Sequence, residues 1–166
     1  KGGSDHLARE KEYGDFMIRF EWRAEKKGYD SRFYIRSGMK VGANQIQLGQ
    51  GGEGSFGGVQ GSKAVPTMHK PPGEWNSWEV TCVGDKVTFV VNGEKAWEGI
   101  GFKSTRGYFG IQAEGHHIDF RNFRIKELKS AAPSAAGDFF FKDGDVVVMI
   151  GDSITEQHLY SNYVEM

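Results

Sequence analysis

Polar side chains that can bind hydroxyl groups recur at alternate positions along several segments of the chain. They carry carboxylate, guanidinium, amide and phenol groups, and they are Glu21, Arg23, Arg32, Tyr34, Arg36, Gln45, Gln47, Gln112 and Glu114. Because alternate residues of a strand lie on one face of a sheet, several of them could share a concave face. Such a face suits a sugar, whose hydroxyls need both donors and acceptors. An ordinary solvated sheet face carries the same alternation, so the pattern leaves both interpretations open.

The histidines offer a second kind of chemistry. His116 and His117 are adjacent, and adjacent residues of a strand point to opposite faces, which disfavours chelation of one ion by both. One of them, with His69 or Glu114 nearby, could ligate a metal ion or transfer a proton, and a surface turn is the alternative. We expect no cofactor; a divalent metal ion has no further support in the sequence.

The segment from Leu48 to Gly61 is dominated by glycine. We expect it to contain too much glycine to pack into a core, and to be either a mobile loop over a site or a plain connection. It is not a phosphate-binding loop, because no Gly-Lys-Ser/Thr follows it.

The elements that must position these residues are strands. Apolar and polar residues alternate with a period of two in eight segments, and no segment shows a helical period. The segments are 16–23, 32–36, 45–48, 78–83, 86–91, 94–97, 107–113 and 118–125. Asn92-Gly93 predicts a two-residue hairpin turn. We predict an all-β fold of two antiparallel sheets packed face to face. Its core should contain Ile18, Phe20, Trp22, Val80, Phe89, Val91, Ile111 and Phe120.

Composition excludes several classes of protein. The chain has 166 residues, 24 of them glycine, and 13% aromatic residues, which favours a turn-rich β protein. A formal charge of −1 gives no broad attraction for nucleic acid or an anionic membrane. The longest apolar run, 146–150, is far shorter than the ~20 residues of a membrane helix. The single cysteine, Cys82, excludes an internal disulfide framework. We therefore expect neither nucleic acid nor membrane as a partner; the sequence does not define the oligomeric state.

Several short motifs resemble one family in order and spacing. They are Tyr13–Phe16, Glu21–Arg23, Lys70–Asn76, Val90–Gly93, Gly110–Gln112 and Phe120–Ile125. Over residues 11–128 the chain is similar to the 3-keto-disaccharide hydrolase domain family, formerly a domain of unknown function. The resemblance implies a concanavalin A-like jelly-roll β-sandwich that acts on or binds carbohydrate in bacterial sugar breakdown, in a secreted or periplasmic protein.

The resemblance also implies a reaction. Oxidation at C3 of a sugar acidifies the C2–H bond, so that a general base can remove this proton while an acid assists departure of the C1 substituent. Family members often carry an acidic residue where this chain has Gln45, and often a histidine where it has Glu114. The chain therefore either uses Glu114 and His116 as its catalytic groups or is a non-catalytic carbohydrate-binding module. The expected substrate-binding residues are Glu21, Arg23, Tyr34, Arg36, Gln45, Gln47, His69 and Gln112. A structural or protein-interaction sandwich is a third possibility.

The C-terminal segment carries a second resemblance. Residues 129–137 are small and polar with one proline, which is typical of a linker. A short apolar run, 146–150, then leads into Gly151-Asp152-Ser153, which resembles the first block of the SGNH (GDSL) hydrolases, with Ser153 as the nucleophile. We expect a sandwich domain over 1–128, a linker over 129–137, and over 138–166 a strand and the start of a helix from a truncated hydrolase. This last segment should make few contacts with the sandwich, and Ser153 should be inert in it.

Overall fold

The computed structural model describes residues 5–8, 11–38, 44–113, 115–129 and 149–150. In chain order the strands are β1 (Asp5–Ala8), β2 (Phe16–Ala24), β3 (Arg32–Ser37), β4 (Gln45–Gln47), β5 (Asn76–Val83), β6 (Lys86–Val91), β7 (Glu94–Gly99), β8 (Tyr108–Ala113), β9 (Ile118–Glu127) and β10 (Met149–Ile150). One short 3-10 turn, Pro66–Met68, lies between β4 and β5. None of the helices in the described ranges is long and apolar enough to cross a membrane.

The strands form two antiparallel sheets, as the sequence predicts. The four-stranded sheet has the order β1-β8-β3-β4, and the six-stranded sheet has the order β10-β9-β2-β5-β6-β7. Their inner faces pack on one another. The ring centroids of Phe20 in β2 and Phe33 in β3 lie 4.6 Å apart, as do those of Phe16 in β2 and Phe109 in β8. The all-β sandwich is thereby confirmed.

The predicted core is also confirmed. Six of its residues are at most 1% exposed: Ile18, Phe20, Trp22, Val80, Phe89 and Val91. Ile111 and Phe120 are partly buried and pack against this cluster. The period of two thus assigned the inner face correctly in both sheets.

A bulge in β9 brings one more ring into the core. The pairing of β2 with β9 shifts between Arg19 and Glu21, opposite Asn122, which has a φ of 56°. Strict alternation would place Phe120 and Phe123 on opposite faces, because they are three residues apart. The extra residue of the bulge turns Phe123 inward, where it stacks on Phe20 at 4.9 Å.

The glycine-rich segment does contribute to the core, and the expectation that it would not was wrong. Leu48, Phe56 and Val59 are at most 5% exposed. Gly54 has a φ of +86°, and a Cβ on it would lie 2.6 Å from the ring of Phe89. Glycine here allows the backbone to approach the core closely, which lets the larger residues of the segment reach the interior.

The described part of the C-terminal segment pairs with the sandwich. Met149 and Ile150 form β10, which lies antiparallel to β9 opposite Arg124 and Phe123. This two-residue strand adds an edge to the six-stranded sheet; the expectation of few contacts for residues 138–166 stays a prediction, since the rest of the segment lies outside the described residues. The predicted helix and Ser153 lie outside the described residues.

Candidate functional site

Four of the predicted substrate-binding residues share the outer face of the four-stranded sheet. In the register of β3 and β4, Tyr34 lies opposite Gln45 and Arg32 lies opposite Gln47. The Tyr34 hydroxyl and Arg32 Nη1 both donate to Gln112 Oε1 of β8, at 3.3 and 2.6 Å. We call the outer side of the sheet formed by Arg32, Tyr34, Gln45, Gln47 and Gln112 the four-stranded face; Tyr34 is buried on it, at 4% exposed.

Asp30 joins this face at its edge. Gln47 Nε2 donates to Asp30 Oδ1 at 2.7 Å, and Arg32 Nη2 lies 3.6 Å from Asp30 Oδ2. A continuous network therefore runs from β4 through the carboxylate to β8. Sequence reasoning missed Asp30 because it precedes β3; the alternation Asp30, Arg32, Tyr34, extended by two residues, would have included it.

A buried pair supports the loop that carries Asp30. The Tyr29 hydroxyl donates to Glu53 Oε1 at 2.5 Å, and Gly51 N donates to Glu53 Oε2 at 2.8 Å. Glu53 is 3% exposed and Tyr29 is 6% exposed. Burial, together with the hydrogen bond to Glu53, raises the pKa of Tyr29 well above its ordinary value. The pair ties the loop before β3 to the glycine-rich segment, which fixes the position of the neighbouring Asp30.

Glu21 and Arg23 lie on the other sheet, away from the four-stranded face. On the outer face of the six-stranded sheet Arg121 Nε donates to Glu21 Oε2 at 2.6 Å, and Arg23 Nη2 donates to Asp119 Oδ2 at 2.7 Å. The hydrogen bond from Arg23 is the main cause that lowers the pKa of Asp119. The prediction that all the polar residues converge on one face is therefore wrong for these two. Alternation distinguishes inner from outer but does not assign a strand to a sheet.

Arg36 lies in the interior, which corrects its assignment to a substrate-binding face. The pairing of β3 with β8 shifts between Tyr34 and Ser37, and Arg36 adopts a φ of 43°. This bulge turns its side chain away from the face of Tyr34. The guanidinium is fully buried and donates to Gly14 O, Gly84 O and Ser104 O, at 2.6–2.9 Å, and to Asp15 Oδ1 at 2.9 Å.

His69 is used within the protein. Trp78 Nε1 donates to its Nε2 at 2.7 Å, and its Nδ1 lies 3.0 Å from Val65 O. An imidazole that accepts at Nε2 and donates from Nδ1 is neutral. Burial lowers the pKa of His69 from its ordinary value. Both ring nitrogens are thus engaged, so the ring supports Trp78 and has no nitrogen left for a substrate.

The remaining predicted residues are placed as follows. His116 is exposed in the turn between β8 and β9. The Nε2 atom of its neighbour His117 lies 3.0 Å from Asp119 Oδ1 in β9, so the His117 ring lies beside the six-stranded sheet. Glu114 and Ser153 lie outside the described residues. Within the described ranges, no group of three His, Cys, Asp or Glu side chains is placed to hold a metal ion.

The four-stranded face can therefore bind a polyhydroxylated ligand. Gln45 makes no side-chain hydrogen bond to any residue that the structure describes, although an amide offers two donor hydrogens and two acceptor lone pairs. Asp30 adds an acceptor of full negative charge, and Arg32 adds donors. Amides bind hydroxyls but do not titrate, so this part of the face supplies recognition and no proton transfer.

Comparison with known proteins identifies the family. A family model described as the 3-keto-alpha-glucoside-1,2-lyase-like domain matches residues 1–126. The chain belongs to this family. The membership confirms the family expected from the sequence for the sandwich; the match does not extend to the hydrolase-like block at 150–155.

Solved structures share the fold. Two structures from Parabacteroides distasonis, described as candidate glycosyl hydrolases, superpose with TM-scores of 0.60 and 0.59 at 21% and 22% identity. They cover 76% and 78% of this chain, and 84% and 77% of their own chains are covered. The carbohydrate-binding module CBM66 of Bacillus subtilis gives a TM-score of 0.56 at 10% identity, with 76% of this chain and 84% of the module covered. At these identities the likeness shows the fold alone. No protein of curated function matches the chain.

Proposed function

We propose that the 3-keto-alpha-glucoside-1,2-lyase-like domain binds its carbohydrate on the four-stranded face. The observation that carries the proposal is the network Gln47–Asp30–Arg32–Gln112, formed by two hydrogen bonds and one ion pair, which places charged and amide groups side by side on the outer face of the sheet. Family membership supports a carbohydrate as the ligand. The outer face of the six-stranded sheet is the weaker candidate, because its Glu21 and Arg23 are already paired.

We propose further that the bound substrate is a 3-keto-glycoside and that the domain cleaves its glycosidic bond. A keto group at C3 acidifies C2–H, so removal of this proton with departure of the C1 substituent is an elimination across C1 and C2. The family description, a 1,2-lyase, supports such a step. Glu114, two residues beyond Gln112, and His116 are the proposed base and acid.

A non-catalytic carbohydrate-binding module is the second candidate. It is favoured by the chemistry of the described face, where Gln45, Gln47 and Gln112 bind hydroxyls without titrating. In this case Glu114 and His116 could be replaced without any loss of binding.

Glycan-array binding combined with a turnover assay on 3-keto-disaccharides separates the candidates. Turnover that is lost in Glu114→Gln but kept in the exposed control Glu94→Gln supports the enzyme. Binding without turnover supports the module. The variant Gln47→Ala/Gln112→Ala should lose binding in either case, whereas Glu21→Gln on the opposite sheet should keep it. Absence of both binding and turnover would leave a structural or protein-interaction role and refute the proposal.

The hydrolase-like block is a separate proposal. We propose that Ser153 is the nucleophile of an SGNH esterase domain in a secreted or periplasmic protein, and that this 166-residue chain alone has no esterase activity. A serine hydroxyl is a poor nucleophile without an adjacent oriented base. Hydrolysis of a short-chain aryl ester by this chain should equal that of its Ser153→Ala variant, and a serine-dependent rate would contradict the proposal.

A further inference from the structure

We infer that Asp30 makes the four-stranded face selective for uncharged sugars over sugars that carry a carboxylate. The inference rests on the proposed function, since it assumes that this face is the one that binds carbohydrate. It assigns a specific role to a residue that lies outside the strands and outside the motifs that the chain shares with its family.

Asp30 is held in place by its backbone neighbours as well as by its side chain. Leu48 N donates to Ser31 O at 2.9 Å, and Gln50 N donates to Tyr29 O at 3.0 Å. These bonds align the loop before β3 with the start of the glycine-rich segment on both sides of Asp30. A carboxylate supported in this way presents its free lone pairs at a fixed position, so little ordering is needed when a ligand hydroxyl arrives.

Gly49 preserves the space in which the carboxylate meets Gln47. Its φ is not in the left-handed region, so the backbone does not require glycine there. A Cβ on Gly49 would collide with Asp30 Oδ1 and would lie 2.5 Å from Gln47 Nε2. A larger residue at this position would therefore force the Asp30 carboxylate and the Gln47 amide to shift. Glycine at position 49 therefore leaves the room in which the Asp30 carboxylate and the Gln47 amide meet.

The charges on the face determine which ligands it accepts. Among the side chains of this face that the structure describes, Asp30 and Arg32 carry charge, and the others are amides and a phenol. The guanidinium of Arg32 is already engaged by Gln112 and lies near Asp30, and its side chain is 24% exposed, against 36% for Asp30. An incoming ligand therefore meets the carboxylate more readily than the guanidinium. A hydroxyl can donate to this carboxylate, whereas a second carboxylate is repelled by it.

The test uses matched pairs of oligosaccharides that differ only in oxidation of C6 from an alcohol to a carboxylate. Affinities are measured at low ionic strength, where surface charges are least screened. We expect the unmodified protein to bind the uncharged member about tenfold more tightly, a ratio between those that like-charge repulsion at contact distance gives in bulk water and near a protein surface. Asp30→Asn keeps the shape of the side chain, and in this variant the ratio of the two affinities should fall towards one. Salt at about 0.5 M should reduce the ratio for the unmodified protein only, because it screens the charge of Asp30.

Two controls make the outcomes distinct. Glu94→Gln removes an exposed carboxylate from β7 and should leave the ratio unchanged. Gly49→Ala should weaken binding of uncharged sugars because it displaces Asp30 and Gln47 together. If the unmodified protein binds sugars and Asp30→Asn keeps the same ratio, or if carboxylated sugars bind more tightly, the role of Asp30 is refuted while the proposed function stands. If the unmodified protein binds no sugar of either kind, both fail together.

Discussion

Replacing Arg36 by methionine should destabilise the fold strongly without any direct effect on ligand binding. The guanidinium is fully buried and satisfies three backbone carbonyls and the carboxylate of Asp15, whose side chain is 10% exposed. Methionine matches the length of the side chain but donates no hydrogen bond. Removing one partner of a buried ion pair typically costs ~3–5 kcal/mol, because the other charge remains buried and unpaired. This is a large part of the ~5–15 kcal/mol by which domains are stable.

Urea unfolding followed by tryptophan fluorescence measures this loss. A matched control is Lys86→Met, which removes an exposed ion pair with Glu98, whose side chains are 50% and 37% exposed. Exposed pairs of this kind contribute ~0–1 kcal/mol. The Arg36 variant should therefore lose several times more stability than the control, at an unchanged dependence on urea concentration. Equal losses in the two variants would refute the assignment of Arg36 to the interior network.

A double variant separates charge from packing. In Arg36→Met/Asp15→Asn the carboxylate is no longer left without its counter-ion, so the combined loss should be smaller than the sum of the two single losses. Additive losses would mean that the guanidinium acts mainly through the carbonyls of Gly14, Gly84 and Ser104. Below its unfolding transition, Arg36→Met should also bind carbohydrate as tightly as the unmodified protein, since its side chain does not reach the four-stranded face.

Three further predictions test the packing. His69→Ala leaves Trp78 Nε1 without its acceptor and should cost ~1–3 kcal/mol. Burial lowers the pKa of His69 in the folded state, so the unfolded state binds the proton first as the pH falls. The unfolding free energy should therefore decrease below the ordinary pKa of 6.5. Urea titrations at several pH values should show a shallower decrease in His69→Ala, and an equal dependence on pH in the two proteins would contradict the burial of His69. Gly54→Ala should cost more than ~2 kcal/mol in thermal or urea unfolding, whereas Gly57→Ala, with nothing within 4 Å of its Cβ, should be near neutral. Burial raises the pKa of Cys82 to about 12, so a thiol reagent at neutral pH should modify it at the rate of unfolding, and rapid modification of the native protein would show that it is accessible.

The alternation of apolar and polar residues was sufficient to predict the β-sandwich and most of the residues of the four-stranded face. Tyr34, Gln45, Gln47 and Gln112 lie together because β3, β4 and β8 belong to one sheet and keep their register in this region. A period of two indicates which side chains share a side of their own strand. It contains no information about which strands pair, so Glu21 and Arg23, with the same pattern, could not be separated from the others before the topology was known.

Single-residue irregularities account for the other errors. The bulges at Arg36 and Asn122 each insert one residue into a strand. The first turns the side chain of Arg36 away from the face of Tyr34, and the second turns Phe123 into the core. Both residues adopt positive φ without being glycine; asparagine tolerates this conformation, whereas nothing about the residue type of Arg36 indicates it. Composition was misleading in the glycine-rich segment, because its glycines permit close packing where high glycine content suggested loose structure.

The difference between the two outer faces is the strongest structural argument for where a ligand binds. On the six-stranded face Glu21 and Arg23 are already paired with Arg121 and Asp119, and Arg121 lies 3.7 Å from the ring centroid of Trp75, so a sugar would have to displace a guanidinium to stack there. On the four-stranded face Gln45 makes no side-chain hydrogen bond within the described residues, and Gln47 donates one of its two amide hydrogens to Asp30. A ligand hydroxyl gains hydrogen bonds there without breaking an ion pair. Because a ligand gains hydrogen bonds to these amides without first displacing a paired guanidinium, binding should favour the four-stranded face.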